Sequence, residues 1–123
     1  MKIKTSALLV SVILITINMS TVHAATEVKI PFSYSKGKNL FETNCSACHG
    51  VKLDGTDQGP PLIHAFYKPS HHGDRAFYKA GLEGARAHHW IFGDMPPVKG
   101  MTTKKMDHIV PYVRFYQQQL KLY

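Results

Sequence analysis

The sequence predicts an all-α domain of three or four helices joined by long loops. Apolar residues recur at helical spacing in residues 74–83 and again from about residue 102 to residue 120. The chain shows no alternation of apolar and polar residues of the kind that marks a half-buried strand. Glycine and proline gather between the helical stretches, where they favour turns. With 123 residues and 44% hydrophobic content, the chain has the size and composition of one globular domain.

The N-terminal segment has the pattern of a cleavable signal peptide. Lys2 and Lys4 precede an apolar run at residues 7–17, and Ala24 ends the polar stretch that follows. The run is too short to cross a bilayer, because a membrane-spanning helix needs about 20 apolar residues. We therefore expect export to the periplasm and membrane contact only through a partner complex. The expected parts are a signal peptide at residues 1–24, an N-terminal tail at residues 25–33 and one domain at residues 34–123.

The first helix is predicted at residues 34–44, where Leu40 and Phe41 are flanked by polar residues. It leads directly into a pair of cysteines. Residues 50–61 combine glycine and proline with short polar side chains and predict an irregular loop. We expect one turn of helix within residues 62–68.

A second helix is predicted at residues 74–83, with glycines at its end. Residues 93–100 contain two consecutive prolines and predict a rigid, extended loop. Thr102 or Thr103 can cap a last helix that extends to about residue 120. Because an interior proline costs about 3 kcal/mol and one hydrogen bond, Pro111 predicts either a kink one turn earlier or a later helix start.

Residues 45–49 form the pattern Cys-x-x-Cys-His, which is typical of covalent haem attachment. Each thiol can add to one haem vinyl group, and the next residue, His49, then supplies an axial nitrogen to the iron. The sequence therefore predicts one haem c, attached through Cys45 and Cys48. A redox dithiol usually follows a strand, and a structural zinc site needs four ligands. Neither pattern is present around these two cysteines.

Met95 is the candidate for the sixth iron ligand, because it lies in the rigid proline loop and a thioether stabilises ferrous iron. His88 and His89 are the alternatives, since imidazole is an equally competent axial ligand. The carbonyl of Pro60 can accept a hydrogen bond from His49, although a Gly-Pro pair also makes ordinary turns.

Three further features have two interpretations each. Trp90, the only tryptophan, can donate its indole N–H to a haem propionate or simply pack on the haem edge. Arg86 and His88 can neutralise propionate charge or remain solvated. The last feature is a set of histidines that can bind copper or zinc, although we favour solvated positions for them. These histidines are His64, His71, His72, His88 and His89.

Taken together, these motifs resemble the class I c-type cytochromes. In that family a first helix leads into Cys-x-x-Cys-His, a Gly-Pro-x-Leu segment follows, and a Met-Pro loop precedes the last helix. The resemblance covers residues 35–120 and implies a cytochrome c-like fold wrapped around one haem. It also implies that Gly37 and Phe41 cross the last helix near Tyr112. The departures from the family pattern are Pro111 and the segment at residues 88–90.

Carried over by motif position, the resemblance makes His49 the proximal ligand, Pro60 its orienting acceptor and Met95 the distal ligand. It implies a periplasmic one-electron carrier rather than an enzyme, although an accessory subunit of a redox enzyme also fits. The alternatives are a haem enzyme or gas sensor with an open sixth position, and a copper-handling cytochrome.

Without Lys2 and Lys4 the formal net charge falls from +7 to +5, and this basic balance favours redox partners with acidic docking surfaces. An exported chain is not expected to bind nucleic acid, and we expect a monomer.

Overall fold

The computed structural model describes residues 27–123, so the predicted signal peptide at residues 1–24 lies outside the described residues. Within residues 27–123, strand-like pairing is limited to one isolated antiparallel bridge between Ala85 and Met95. The four α-helices confirm the predicted all-α fold. The elements are a 3-10 turn at Phe32–Tyr34, α1 at Ser35–Asn44, α2 at Ser46–His49, a second 3-10 turn at Ala65–Tyr67, α3 at Asp74–Glu83 and α4 at Thr103–Gln119. Over the same residues, no helix combines the length and apolar character that crossing a membrane requires.

Helices α1 and α4 cross at Gly37, which is buried. A Cβ atom at this position would overlap the carbonyl oxygen of His108 and lie 2.8 Å from Cβ of Tyr112. Only glycine allows the two backbones to approach this closely. Beside the crossing, the rings of Phe41 and Tyr112 lie 5.7 Å apart. The contact expected from the resemblance is therefore present.

Helix α4 provides most of the core. Thr102 caps it, with the side-chain oxygen accepting from the backbone N–H of Lys105 at 3.3 Å. The helix begins at Thr103 and continues through Pro111, so the alternative of a later start is wrong. The proline is exposed, whereas the buried apolar side chains of α4 are Met106, Ile109, Val110, Tyr112, Val113 and Tyr116. Burying each one stabilises the fold by about 1.5–3 kcal/mol.

Arg114 ties the loop before α3 to helix α4. Its side chain is largely buried and donates to the carbonyl oxygens of Tyr67 at 2.6 Å and His72 at 2.5 Å. It also donates to the carboxylate of Asp74 at 2.7 Å and to the side-chain oxygen of Gln117 at 2.8 Å. One planar guanidinium thus satisfies four acceptors, on the second 3-10 turn, the loop before α3, α3 and α4. Nothing in the local sequence pattern singles out Arg114.

We predict that Gly37→Ala lowers the free energy of unfolding by about 1–3 kcal/mol or more, because the added methyl group must push α1 away from α4. Denaturant unfolding of the haem-containing protein measures the change.

Gly73→Ala is the matched control, since the nearest atom to a Cβ there is the Pro69 carbonyl oxygen at 3.7 Å. Gly73 precedes α3 with φ −63°. Alanine is a poorer capping residue than glycine, which lowers the free energy of unfolding. It also reduces the entropy of the unfolded chain, which raises that free energy by a similar amount. Equal losses in the two variants would contradict the packing argument.

We predict that Arg114→Lys lowers the free energy of unfolding by about 2–4 kcal/mol. Lysine keeps the charge but cannot reach the separate acceptors that the guanidinium fork satisfies, so buried carbonyls lose their donors. Arg75→Lys on α3 is the control, because Arg75 is exposed and should change stability by about 0.5 kcal/mol at most. A similar small effect of Arg114→Lys would show that the network contributes little.

Candidate functional site

A cavity of about 740 Å³ opens between α3, α4, the cysteine segment and the loop at residues 84–95. Its walls are mostly apolar, with Leu62, Phe77, Ile109 and Val113 among them. Small-molecule and cofactor sites of this kind measure about 300–1,000 Å³. The predicted cofactor-binding residues that line it are Cys45, His49, Pro60, Trp90 and Met95. Cys48 does not line the cavity and lies exposed on α2.

His49 is the last residue of α2 and is 92% buried, with only 8% of its surface exposed. Its Nδ1 lies 2.8 Å from the carbonyl oxygen of Pro60. Because a carbonyl can only accept, the proton must be on Nδ1, which leaves Nε2 as the free nitrogen that binds metals. Burial lowers the pKa of His49, and the hydrogen bond to Pro60 opposes this shift. The neutral, ligating form is therefore favoured.

No disulfide joins Cys45 to Cys48. Burial, followed by the neighbouring Cys48, raises the pKa of Cys45 to about 11. Dithiol oxidoreductases depend on the opposite shift, which provides a reactive thiolate near neutral pH. Gly59 packs directly on this segment, since a Cβ there would lie 3.0 Å from Cβ of Cys48. The arrangement fits covalent attachment better than dithiol exchange.

The backbone of Met95 is fixed in the cavity wall. Its N–H donates to Ala85 at 2.8 Å, and its carbonyl accepts from Ala85 at 2.9 Å. Gly84 precedes this pair with φ +85°, and a Cβ there would lie 2.6 Å from the Met95 oxygen. Of the other methionines in the described part of the chain, Met106 also lines the cavity, but it is a buried core residue whose sulfur packs against Gly81. Met101 does not line the cavity.

His88 and His89 lie on the rim of the same cavity, and each faces another histidine. The Nε2 atoms of His88 and His72 are 3.2 Å apart, and those of His89 and His71 are 3.0 Å apart. Loss of solvent contact lowers the pKa of His89, and charge on the neighbouring histidines lowers it further. Two interpretations of these histidines were open from the sequence, and separate, solvated side chains were the favoured one; the structure instead brings them together with His71 and His72. The available signal was a pair of His-His dipeptides on either side of α3.

Trp90 has a buried indole nitrogen that makes no well-formed hydrogen bond among residues 27–123, although it lies near enough to the Tyr67 hydroxyl to oppose the rise that burial gives the pKa of that tyrosine. An unsatisfied buried donor costs about 1–3 kcal/mol. Its ring contacts His64 edge-on, with centroids 5.0 Å apart, and it lines the cavity. A cofactor carboxylate in the cavity could accept this N–H, so the unpaired donor fits a haem propionate.

The family model for cytochrome c matches residues 34–115, which cover the helices α1 to α3, the cavity and most of α4. No solved structure matches the chain. The match agrees with the geometry, because an apolar cavity is bordered by the cysteine pair and by a histidine whose free nitrogen can bind iron. Haem c supplies the one-electron chemistry of the family, and its attachment motif here is Cys45-x-x-Cys48-His49. The chain therefore belongs to the cytochrome c family and takes part in electron transfer through haem c.

Proposed function

We propose that this protein is a periplasmic one-electron carrier whose single haem iron is bound by His49 and Met95. The observation that carries the proposal is the backbone pair between Ala85 and Met95, which holds Met95 in the wall of the cavity that also contains His49. A ligand held by its backbone loses little entropy when it binds. This arrangement favours a sixth ligand that remains bound while the iron changes oxidation state.

The histidine group supports Met95 over its two rivals. The Nε2 atoms of His88 and His89 face other histidines at 3.2 and 3.0 Å, so either ring would have to leave a contact to reach iron. The second nitrogen of His88 is also engaged, with the Arg86 carbonyl oxygen at 2.7 Å. The hydrogen bonds that hold Met95 are backbone bonds to Ala85, and these can stay in place when its sulfur coordinates.

The chain's own residues prepare the site for electron transfer. Pro60 keeps the proton of His49 on Nδ1 and so fixes which nitrogen binds the metal. The apolar walls, with Phe77, Ile109 and Val113, exclude water and reduce the reorganisation that a change of charge requires. Cleavage of the signal peptide removes Lys2 and Lys4 and lowers the formal charge from +7 to +5, and this remaining positive charge favours acidic surfaces on the donor and acceptor proteins.

We predict that Met95→Ala lowers the reduction potential by about 0.1 V or more, within the range of roughly 0.8 V that axial ligation spans. Loss of the thioether removes its preference for ferrous iron. Redox titration measures the potential, and the weak near-infrared band of methionine-to-iron charge transfer should disappear.

Met101→Ala is the control, because Met101 is partly buried outside the cavity lining. Its potential and near-infrared band should match those of the unmodified protein. An unchanged potential in Met95→Ala would refute the proposed ligation and return His88 and His89 to consideration.

Carbon monoxide distinguishes an electron carrier from a haem enzyme or gas sensor. With Met95 bound, the ferrous protein should react with carbon monoxide slowly or not at all, whereas Met95→Ala should bind it readily. Rapid binding to the unmodified ferrous protein would favour a displaceable sixth position and therefore an enzyme or sensor.

We predict that the exported protein begins at Ala25 or Thr26, because the signal peptide is expected to be cleaved after Ala24 or one residue later. Mass spectrometry of the periplasmic fraction measures the N-terminus together with the added mass of one haem. A mature protein that retains Lys2 and Lys4 would contradict cleavage and indicate an N-terminal anchor.

A further inference from the structure

Four histidines from two loops form a cluster on the rim of the cavity. His71 and His72 precede α3, and His88 and His89 follow it. One potential ligand atom from each of His71, His72 and His89 lies within 4.8 Å of the others, and Nε2 of His88 lies 3.2 Å from Nε2 of His72. We call these four residues the histidine cluster. None of them is His49 or Met95, so the cluster is separate from the proposed iron ligands.

The protons of His72 and His88 are fixed by their surroundings. Nδ1 of His72 lies 2.6 Å from the Phe66 carbonyl oxygen, and Nδ1 of His88 lies 2.7 Å from the Arg86 carbonyl oxygen. A carbonyl only accepts, so both Nδ1 atoms carry the proton and both neutral rings present an unprotonated Nε2. Two lone pairs therefore face each other at 3.2 Å. Such a pair requires a cation or a shared extra proton between the nitrogens.

The spacing also matches metal coordination. Two imidazole nitrogens at about 2.0–2.1 Å from one metal lie about 2.8–3.0 Å apart at adjacent corners of the square plane that copper(II) prefers, and about 3.3–3.4 Å apart in a tetrahedron. The observed separations are 3.2 Å for His72 with His88 and 3.0 Å for His71 with His89. Histidines that bind metals usually donate the other ring N–H to a carbonyl or carboxylate, as His72 and His88 do here.

The loops that carry the cluster are held by contacts outside it. Arg114 donates to the His72 carbonyl oxygen at 2.5 Å. The backbone N–H of Ala87 donates to the Asp94 carboxylate at 2.8 Å, beside the Ala85 pair with Met95. The ring of His89 stacks on Phe66 with centroids 4.2 Å apart. A cation would therefore meet imidazoles that are already close together, at little cost in chain entropy.

We propose that the histidine cluster is a second metal site, which binds one copper(II) ion. The ligands are all imidazole, a set that suits copper, zinc and nickel rather than calcium or magnesium. Among these ions the general order of affinity places copper(II) first. Two of the ligands, His71 and His88, are exposed, so the ion can enter from solvent.

The test uses the full exported protein with its haem oxidised and all added metals removed. Copper(II) alone is titrated while calorimetry measures stoichiometry and electron paramagnetic resonance detects nitrogen ligands. We expect one tightly bound ion per chain with nitrogen hyperfine structure. Zinc(II) is titrated in parallel, and tighter binding of zinc than of copper would overturn the copper assignment.

Each pair of the cluster is tested by replacing its exposed member. His71→Ala and His88→Ala should each weaken copper binding at least tenfold, while the haem spectrum stays unchanged and shows that the variants are folded. His108→Ala is the control, because His108 is an exposed histidine on α4 outside the cluster, and its affinity should change less than twofold.

Absence of stoichiometric binding, or binding that His71→Ala and His88→Ala leave unchanged, would overturn the second site and leave a shared proton as the occupant of the His72–His88 pair. That result would not affect the ligation of iron by Met95, which the potential and near-infrared band test independently.

Discussion

The contact between α1 and α4 at Gly37 determines where the haem-attachment motif lies relative to the apolar wall of the cavity. The His108 carbonyl and the Tyr112 side chain occupy the space that any larger residue at position 37 would need. Only Cys45 separates α1 from α2, so the angle at which α1 meets α4 also determines where His49 lies. The attachment motif is local in sequence, but its placement against the apolar wall of α4 is a result of helix packing.

Features that depend on neighbours in the chain could be predicted from the sequence. The bounds of α3 follow from its apolar spacing and final glycines, and the Cys-x-x-Cys-His spacing indicates its own chemistry. Pro111 shows the limit of local prediction, because the low helix propensity of proline predicts an interrupted or kinked helix. The helix nevertheless runs through it, since Val110, Tyr112 and Val113 are buried on one face while the proline ring is exposed on the other. Tertiary burial outweighs the local cost.

Contacts between residues distant in the chain could not be predicted from local patterns, and the crossing of α1 and α4 was expected only because of the family resemblance. Arg114 contacts Asp74 40 residues earlier in the chain, and Gln117 donates to the Leu62 carbonyl 55 residues earlier. In the sequence, both are polar positions on a helix, which usually face solvent. The contacts within the histidine cluster could not be predicted for the same reason. The two His-His pairs, at residues 71–72 and 88–89, are far apart in sequence, and no local pattern indicates that their loops meet. Only the path of the chain around α3 does so.

The backbone pair between Ala85 and Met95 closes a short loop that carries His88 and His89 at its far end. The proposed iron ligand, Met95, and two of the four residues of the histidine cluster therefore lie on the same loop. Two binding events on one loop are linked reciprocally: if an ion at the cluster alters how firmly Met95 holds iron, then the oxidation state of iron must alter the affinity for that ion by the same factor. With such a link, binding of a cation at the histidine cluster would change the reduction potential of the haem. Oxidation or reduction of the haem would in turn release or bind that cation.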